Sequence, residues 1–277
     1  MELPAFEIAE VRKHYDRLSH FYQLLWGEHL HHGYWEKGES ISQAQLQLMQ
    51  QLAEAAGLSR GLTVLDIGCG VGGSALWLAA NHHSFVTGLT ISPVQIKIAQ
   101  RKAKARGLAE RVRFQLTDAN MWQPEPESVD VVWIMESSEH FRDKKGFFAR
   151  CASALKPGGT LAVCAWLRGQ RPLSANDRSL VVKIGEAMFS ASLDTLTDYT
   201  GWMNEAGLQV EVARDITNKI SPTWDHCARM AARFPMKYLV NLADAPTRRF
   251  VQAFPLMQQG YATGAMAFGL FVARKRR

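Results

Sequence analysis

The sequence predicts an α/β fold: a Rossmann-like, mostly parallel sheet of seven strands with helices on both faces. Three observations predict it. The first is the stretch Thr63–Ser74, TVLDIGCGVGGS, in which a short apolar strand runs into a glycine-rich turn and then a helix. The second is the alternation of short apolar runs with helical patterns from residue 63 to 166, the signature of repeated βαβ units. The third is Val129–Met135, VDVVWIM, apolar nearly throughout, as a parallel strand covered on both faces must be.

In chain order, residues 5–26 carry Val11, Tyr15, Leu18, Tyr22 and Leu25 at helical spacing and predict an amphipathic helix outside the sheet. Trp26 to Trp35, WGEHLHHGYW, is rich in aromatics and histidine and broken by glycine, and reads as an irregular lid. A second helix is predicted over 41–56, with Gly57 as its cap. Strands are then predicted at 63–67, 84–90, 112–116, 129–135 and 160–166. The helices between them are predicted at 73–82, 93–106 and 144–155, the second opened by Ser92-Pro93. Lys156-Pro-Gly-Gly159 reads as the turn before the fifth strand. Largely helical insertions at about 168–207 and 222–260 are expected to form a cap, with strands at 209–215 and 265–273 completing the sheet. The organisation expected is a lid segment, 1–58, packed on one α/β domain, 59–277.

Ligands of open α/β sheets lie outside the carboxyl ends of the strands, so the polar residues there are the candidates. Asp66 stands two residues before the first glycine. A carboxylate there repels a diphosphate and suits a ligand with an ammonium group. S-adenosylmethionine (SAM), with its α-amino group and sulfonium, is such a ligand. The second strand ends in Thr90, with Gln95 following, where a dinucleotide enzyme would carry an acid for the ribose. Asp118 after the third strand suits an adenine amine, or simply forms a turn.

The segments GLTISPVQ (88–95), TDA (117–119), VDVVWIMESSEHF (129–141) and LKPGGTL (155–161) resemble class I SAM-dependent methyltransferases. With the lid WGEHLHHGYWE (26–36), they are most similar to the tocopherol methyltransferase group and more distantly to the cyclopropane fatty acid synthases. The resemblance implies the class I methyltransferase fold and SAM as cofactor. It assigns the methionine part to Asp66, Gly68 and Gly70, with Cys69 and Met135 beside them. It assigns the ribose and adenosine to Thr90 and Gln95, and the adenine to Asp118 and Ala119. Thr90 departs from the usual class pattern but is shared by both groups. Tyr34 and Trp35 are expected to close over cofactor or substrate, with Tyr15, Tyr22 and Trp26 completing an aromatic lid that excludes water and faces the cation.

Glu136, Glu139 and His140, three and four residues apart, stand at the mouth of this site. His140 is expected as the base, with Glu139 as base or orienting partner. In the cyclopropane synthases Glu139's position holds bicarbonate, a different role. Glu136 either stabilises positive charge or holds substrate. The reaction implied is in-line methyl transfer to a small, largely apolar acceptor. Carbon methylation of a prenylated or aromatic compound is favoured over N- or O-methylation of a small natural product.

No metal is expected: His29, His31 and His32 match no zinc spacing, and the four cysteines form no CxxC pair. No run approaches the roughly 18 apolar residues of a membrane span, so a cytoplasmic protein is expected. Charge is unevenly spread: residues 1–144 hold 14 basic and 17 acidic side chains, and residues 145–277 hold 18 and 9. This basic half suits an anionic membrane surface, an acidic substrate or nucleic acid, or is a solvated surface. Its basic residues lack interleaved aromatics and no Asn/Asp-Pro-Pro-aromatic signature follows the fourth strand, so no nucleic-acid partner is expected.

Overall fold

The structure, a computed structural model, describes residues 3, 6–234, 238, 240 and 245–277, without the side chains of 18, 20–26 and 246. The strands are β1 (Thr63–Ile67), β2 (Phe85–Thr90), β3 (Val112–Leu116), β4 (Val129–Met135), β5 (Leu155–Arg168), β6 (Leu208–Asp215) and β7 (Met266–Lys275). The helices are α1 (Ile8–Trp26), α2 (Ile41–Ala55), α3 (Gly73–Asn81), α4 (Pro93–Ala105), α5 (Lys144–Ala154), α6 (Ala175–Met188), α7 (Leu196–Glu205), α8 (Thr217–Ile220), α9 (Pro222–Ala232), α10 (Ala245–Gln252) and α11 (Phe254–Ala262).

One sheet of seven strands runs in the order β3-β2-β1-β4-β5-β7-β6. Neighbours from β3 to β5 are parallel, and β7 lies antiparallel to both β5 and β6. The chain leaves β1 in one direction, then returns to place β4 on its other side. The strand order therefore reverses between β1 and β4, and the crevice at that point receives the ligand in folds of this kind. Asp66 and Ile67 end one of these strands; Met135 ends the other.

β4 shows why its sequence is apolar throughout. Val131, Trp133 and Met135 pack on one face with α2, α3 and α6, while Val132 and Ile134 pack on the other with α5 and α7. The two halves of the 168–207 insertion go to different faces. α6 joins α9 and α11 in a cap over the ligand end. α7 instead covers the sheet beside β6, with Tyr199 stacked on Phe271 at 5.2 Å between ring centroids. Two buried side chains, Tyr199 and Met203, draw it there. The turn expected at Lys156–Gly159 is absorbed into β5, which begins at Leu155 and shifts register against β4 between Val129 and Val131.

Candidate active site

α1 lies across α4, and its Asp16 carboxylate accepts from the Ser92 hydroxyl that caps α4. It thereby roofs a cavity of about 990 Å³ at the switch point. Asp66, Gly68, Cys69, Gly70, Thr90, Gln95, Asp118, Ala119, Met135, Glu136 and His140 all line this cavity, and Tyr15 of α1 completes it.

The floor is backbone. Gly68 has φ of +79°, and a Cβ there would fall 2.3 Å from the Cβ of Ser137, whose hydroxyl donates to the Ile67 carbonyl. Gly73, at the start of α3, leaves room for the ring of His29; a Cβ would meet its Nδ1 at 2.6 Å. Asp66 is 1% exposed, and its Oδ2 has no hydrogen-bond partner. Burial pushes its carboxyl up to about 7, against the Ala75 amide that lowers it. A buried carboxylate oxygen left open in a cavity is a seat for a donor or a cation. Thr90 gives its hydroxyl to the Gln95 carbonyl oxygen at 2.7 Å, so it orients that side chain. Asp118 closes a turn by accepting from Asn120.

A second cavity, about 620 Å³, opens behind Tyr15, Glu136 and His140, which belong to both. Its walls are largely apolar: Leu30, Trp166, Met188, Trp224 and Phe250. The turn after β4 supplies its polar end. Glu136 has φ of +54°, unusual for a residue with a side chain, and such conformations cluster at functional sites. Its carboxylate accepts from the His32 amide, from His32 Nδ1 and from Trp166 Nε1, each at 2.7 Å. Burial opposes the charged form, but these partners and His31 outweigh it and hold the carboxyl below its usual range. The Trp224 indole donates to His32 Nε2, so His32 carries its hydrogen on Nδ1, facing Glu136.

His140 lies in a single 3-10 turn, Ser138–His140. Its Nδ1 faces the Phe189 carbonyl at 2.8 Å, and a carbonyl only accepts, so Nδ1 carries the hydrogen. Nε2 then accepts from the Tyr15 hydroxyl at 2.9 Å. Burial lowers the imidazole's affinity for a second proton and keeps it neutral. Burial, then the charges of Glu139 and Glu136, push the Tyr15 phenol well up. Glu139 lines the second cavity beside them.

Tyr34 and Trp35 line neither cavity. Trp35 Nε1 donates to Thr223, and the Lys219 ammonium sits over the Tyr34 ring, so both anchor the lid to the cap instead of closing over a ligand. The side chains of Tyr22 and Trp26 lie outside the described residues. The lid enters the site through residues that sequence reading passed over. His29, Leu30 and His31 line the first cavity, and His32 grips Glu136. The available signal was alternation: in an extended segment His29 and His31 share one side, which metal-motif spacing does not test. Among the described residues no group of three or more His, Cys, Asp or Glu is arranged to hold a metal.

The family profile of mycolic acid cyclopropane synthetase matches residues 4–241. The chain belongs to this family, and is a class I SAM-dependent methyltransferase. The methyltransferase is 35% identical over 222 residues to 27-O-demethylrifamycin SV methyltransferase of Amycolatopsis mediterranei, covering 79% of this chain and 80% of that one. It is 30% identical over 279 residues to a probable chloroplastic tocopherol O-methyltransferase of Oryza sativa, covering 94% and 76%. In fold it is similar to the cyclopropane synthase MmaA2 of Mycobacterium tuberculosis, with a TM-score of 0.86, 20% identity and 98% and 99% of the two chains covered. The cofactor of the methyltransferase is SAM. The open Asp66 carboxylate and the side-chain-free floor fit its ammonium and its length.

Proposed function

We propose that the methyltransferase transfers a methyl group to a small, largely apolar acceptor seated in the second cavity, with carbon methylation of a phenolic or hydroquinone ring as the favoured outcome. The observation that carries this reading is the junction of the two cavities at Tyr15, Glu136 and His140. SAM, when bound, supplies an electrophilic methyl group. Asp66 takes its ammonium, Gln95 held by Thr90 takes the ribose, and Asp118 with Ala119 takes the adenine.

The chain's own chemistry is alignment, exclusion of water and one proton transfer. An acceptor hydroxyl at the junction donates to the Tyr15 oxygen while Tyr15 gives its own proton to His140 Nε2. The net result is a phenolate in the cavity and an imidazolium at His140. Ionising the phenol raises electron density at the ring carbon beside it; that carbon takes the methyl as the sulfur–methyl bond breaks, then releases its own hydrogen as a proton to solvent while the oxygen regains a proton from the His140 imidazolium through Tyr15. Of the groups the sequence offers as a base, His140 is the one with a lone pair aimed at the junction. Methylation at the oxygen itself uses the same proton transfer, and the O-methyltransferase relatives favour it as the second reading.

Turnover of a panel of hydroquinones, phenols and amines with labelled SAM, read by the position of the new methyl, tests the acceptor class. Replacing His140→Gln is expected to lower kcat by about 10²–10⁴-fold while leaving S-adenosylhomocysteine (SAH) affinity within about twofold. At saturating SAM, wild-type activity should fall in acid where the imidazole protonates, below the ordinary histidine range because burial lowers it, and the variant should lack that limb. Unchanged kcat in the variant would remove His140 from the reaction.

A further inference from the structure

We infer that Glu139 works as a neutral carboxylic acid that donates a hydrogen bond to an oxygen atom of the acceptor, so that the second cavity selects uncharged, oxygen-bearing molecules. This rests on the reading of that cavity as the acceptor site. Glu139 is 1% exposed, lines the cavity, and its Oε2 has no hydrogen-bond partner. Its backbone is pinned, because the Glu139 carbonyl accepts from the Ala191 amide at 2.8 Å. The carboxyl is thus held in a cavity whose far walls are Met188, Trp224 and Phe250, with one oxygen to offer.

The groups around it decide which form it takes. Glu136, on the same turn, is a carboxylate fixed by three donors, and its charge favours the un-ionised form of Glu139. Lys144 on α5 is the one buried ammonium whose charge opposes this. Its Nζ is already engaged by Asp194, Ser192 and the Phe141 carbonyl. The remaining titratable neighbours are un-ionised: Tyr15 on α1, Tyr199 on α7, Tyr261 on α11 and Cys164 on β5 are all pushed up by burial first and then by these carboxylates or Glu139 itself. His14 of α1, His31, His32 and His140 also border the cavity; burial pushes His31 and His140 down, and His32 has both ring nitrogens engaged. Burial and the Glu136 charge together push the Glu139 carboxyl up to about 8.

A protonated carboxyl offers a donor to a phenol, quinol or carbonyl oxygen. It gives an ammonium group nothing to balance its charge, so amines are poor occupants. The same group is therefore not the base, and Glu139 and His140 divide the work: one binds an acceptor oxygen, the other takes the proton.

The test uses the full-length protein loaded with SAH, labelled with carbon-13 at the glutamate carboxyls. The Glu139 resonance is assigned as the one missing in Glu139→Gln. It is expected to titrate near 8, and hydroquinone added at millimolar concentration is expected to move it. Glu139→Gln, whose amide still donates, should bind hydroquinone within about twofold of wild type, and Glu139→Leu about tenfold more weakly, the loss of one net hydrogen bond. A Glu139 carboxyl ionised at neutral pH overturns the proposal. So does a resonance indifferent to hydroquinone, or one moved by bicarbonate in its place. His140→Gln should leave the Glu139 titration intact, so failure of the proton-transfer reading is seen separately.

Discussion

At the scale of single residues, the site is built from buried carboxyls set to different tasks by their surroundings. Glu136 is ringed by donors that hold it below the usual carboxylate range, burial and the Glu136 charge push Glu139 up to about 8, and Asp66 sits between, pushed to about 7. For Asp66 the consequence has a definite sign. Its folded value lies above the unfolded value of about 3.9, so between the two the native chain binds more protons. Stability without cofactor therefore falls as pH rises through that window. Holding an ammonium needs the ionised form, so SAH affinity should be full above 7 and weaken about tenfold per pH unit below it. Asp66→Asn should raise the melting temperature of the cofactor-free protein at pH 8 and lower SAH affinity at least tenfold. Calorimetric titration across pH checks this, and a pH-independent affinity would remove Asp66 from the ammonium site.

At the scale of elements, the catalytic turn is held by the segment joining α6 to α7. Phe189 fixes His140 through its carbonyl, and Ala191 fixes Glu139 through its amide. Lys144 of α5 locks that segment by pairing with Asp194 at 2.9 Å while buried. Burial works against the Asp194 carboxylate, but Lys144 and Ser192 outweigh it. Removing one member of a buried ion pair leaves the other uncompensated, a loss of about 3–5 kcal/mol. Lys144→Met should show that loss in urea unfolding, and adding Asp194→Leu should recover part of it. If the single variant is as stable as wild type, the pair holds nothing together.

At the scale of the whole molecule, the cavities exist only where lid, sheet and cap meet. α1 supplies Tyr15, the lid loop supplies His29 to His32, and the cap supplies Met188, Trp224 and Phe250. A ligand bound there bridges all three layers and stabilises only the assembled fold. SAH at about 100 times its Kd adds about 2.7 kcal/mol, a rise in melting temperature of roughly 5–10 °C for a chain of this size. The rise should shrink below pH 7 as Asp66 takes up its proton, which differential scanning calorimetry at two pH values would show.

The strands of the sheet and the polar residues at their carboxyl ends were legible in the chain; their order, and the reversal between β1 and β4, came from the tertiary structure. Apolar runs of strand length, Pro and Gly punctuation and a glycine loop are local signals, and βαβ handedness leaves few topologies open. The sequence by itself thus determined a parallel α/β core with Asp66, Gln95, Asp118 and Glu136 around one crevice. Only the tertiary structure decided which way the lid faces. Tyr34 and Trp35 turn to the cap, and three histidines without a motif turn to the site, because packing against Ala44, Thr223 and Glu136 selects among rotations that spacing alone leaves equivalent. Protonation was decided there too. Glu136 and Glu139 are the same residue type on one turn, and they are pushed in opposite directions because His32 and Trp166 offset burial at the first, while burial and the charge of the first prevail at the second.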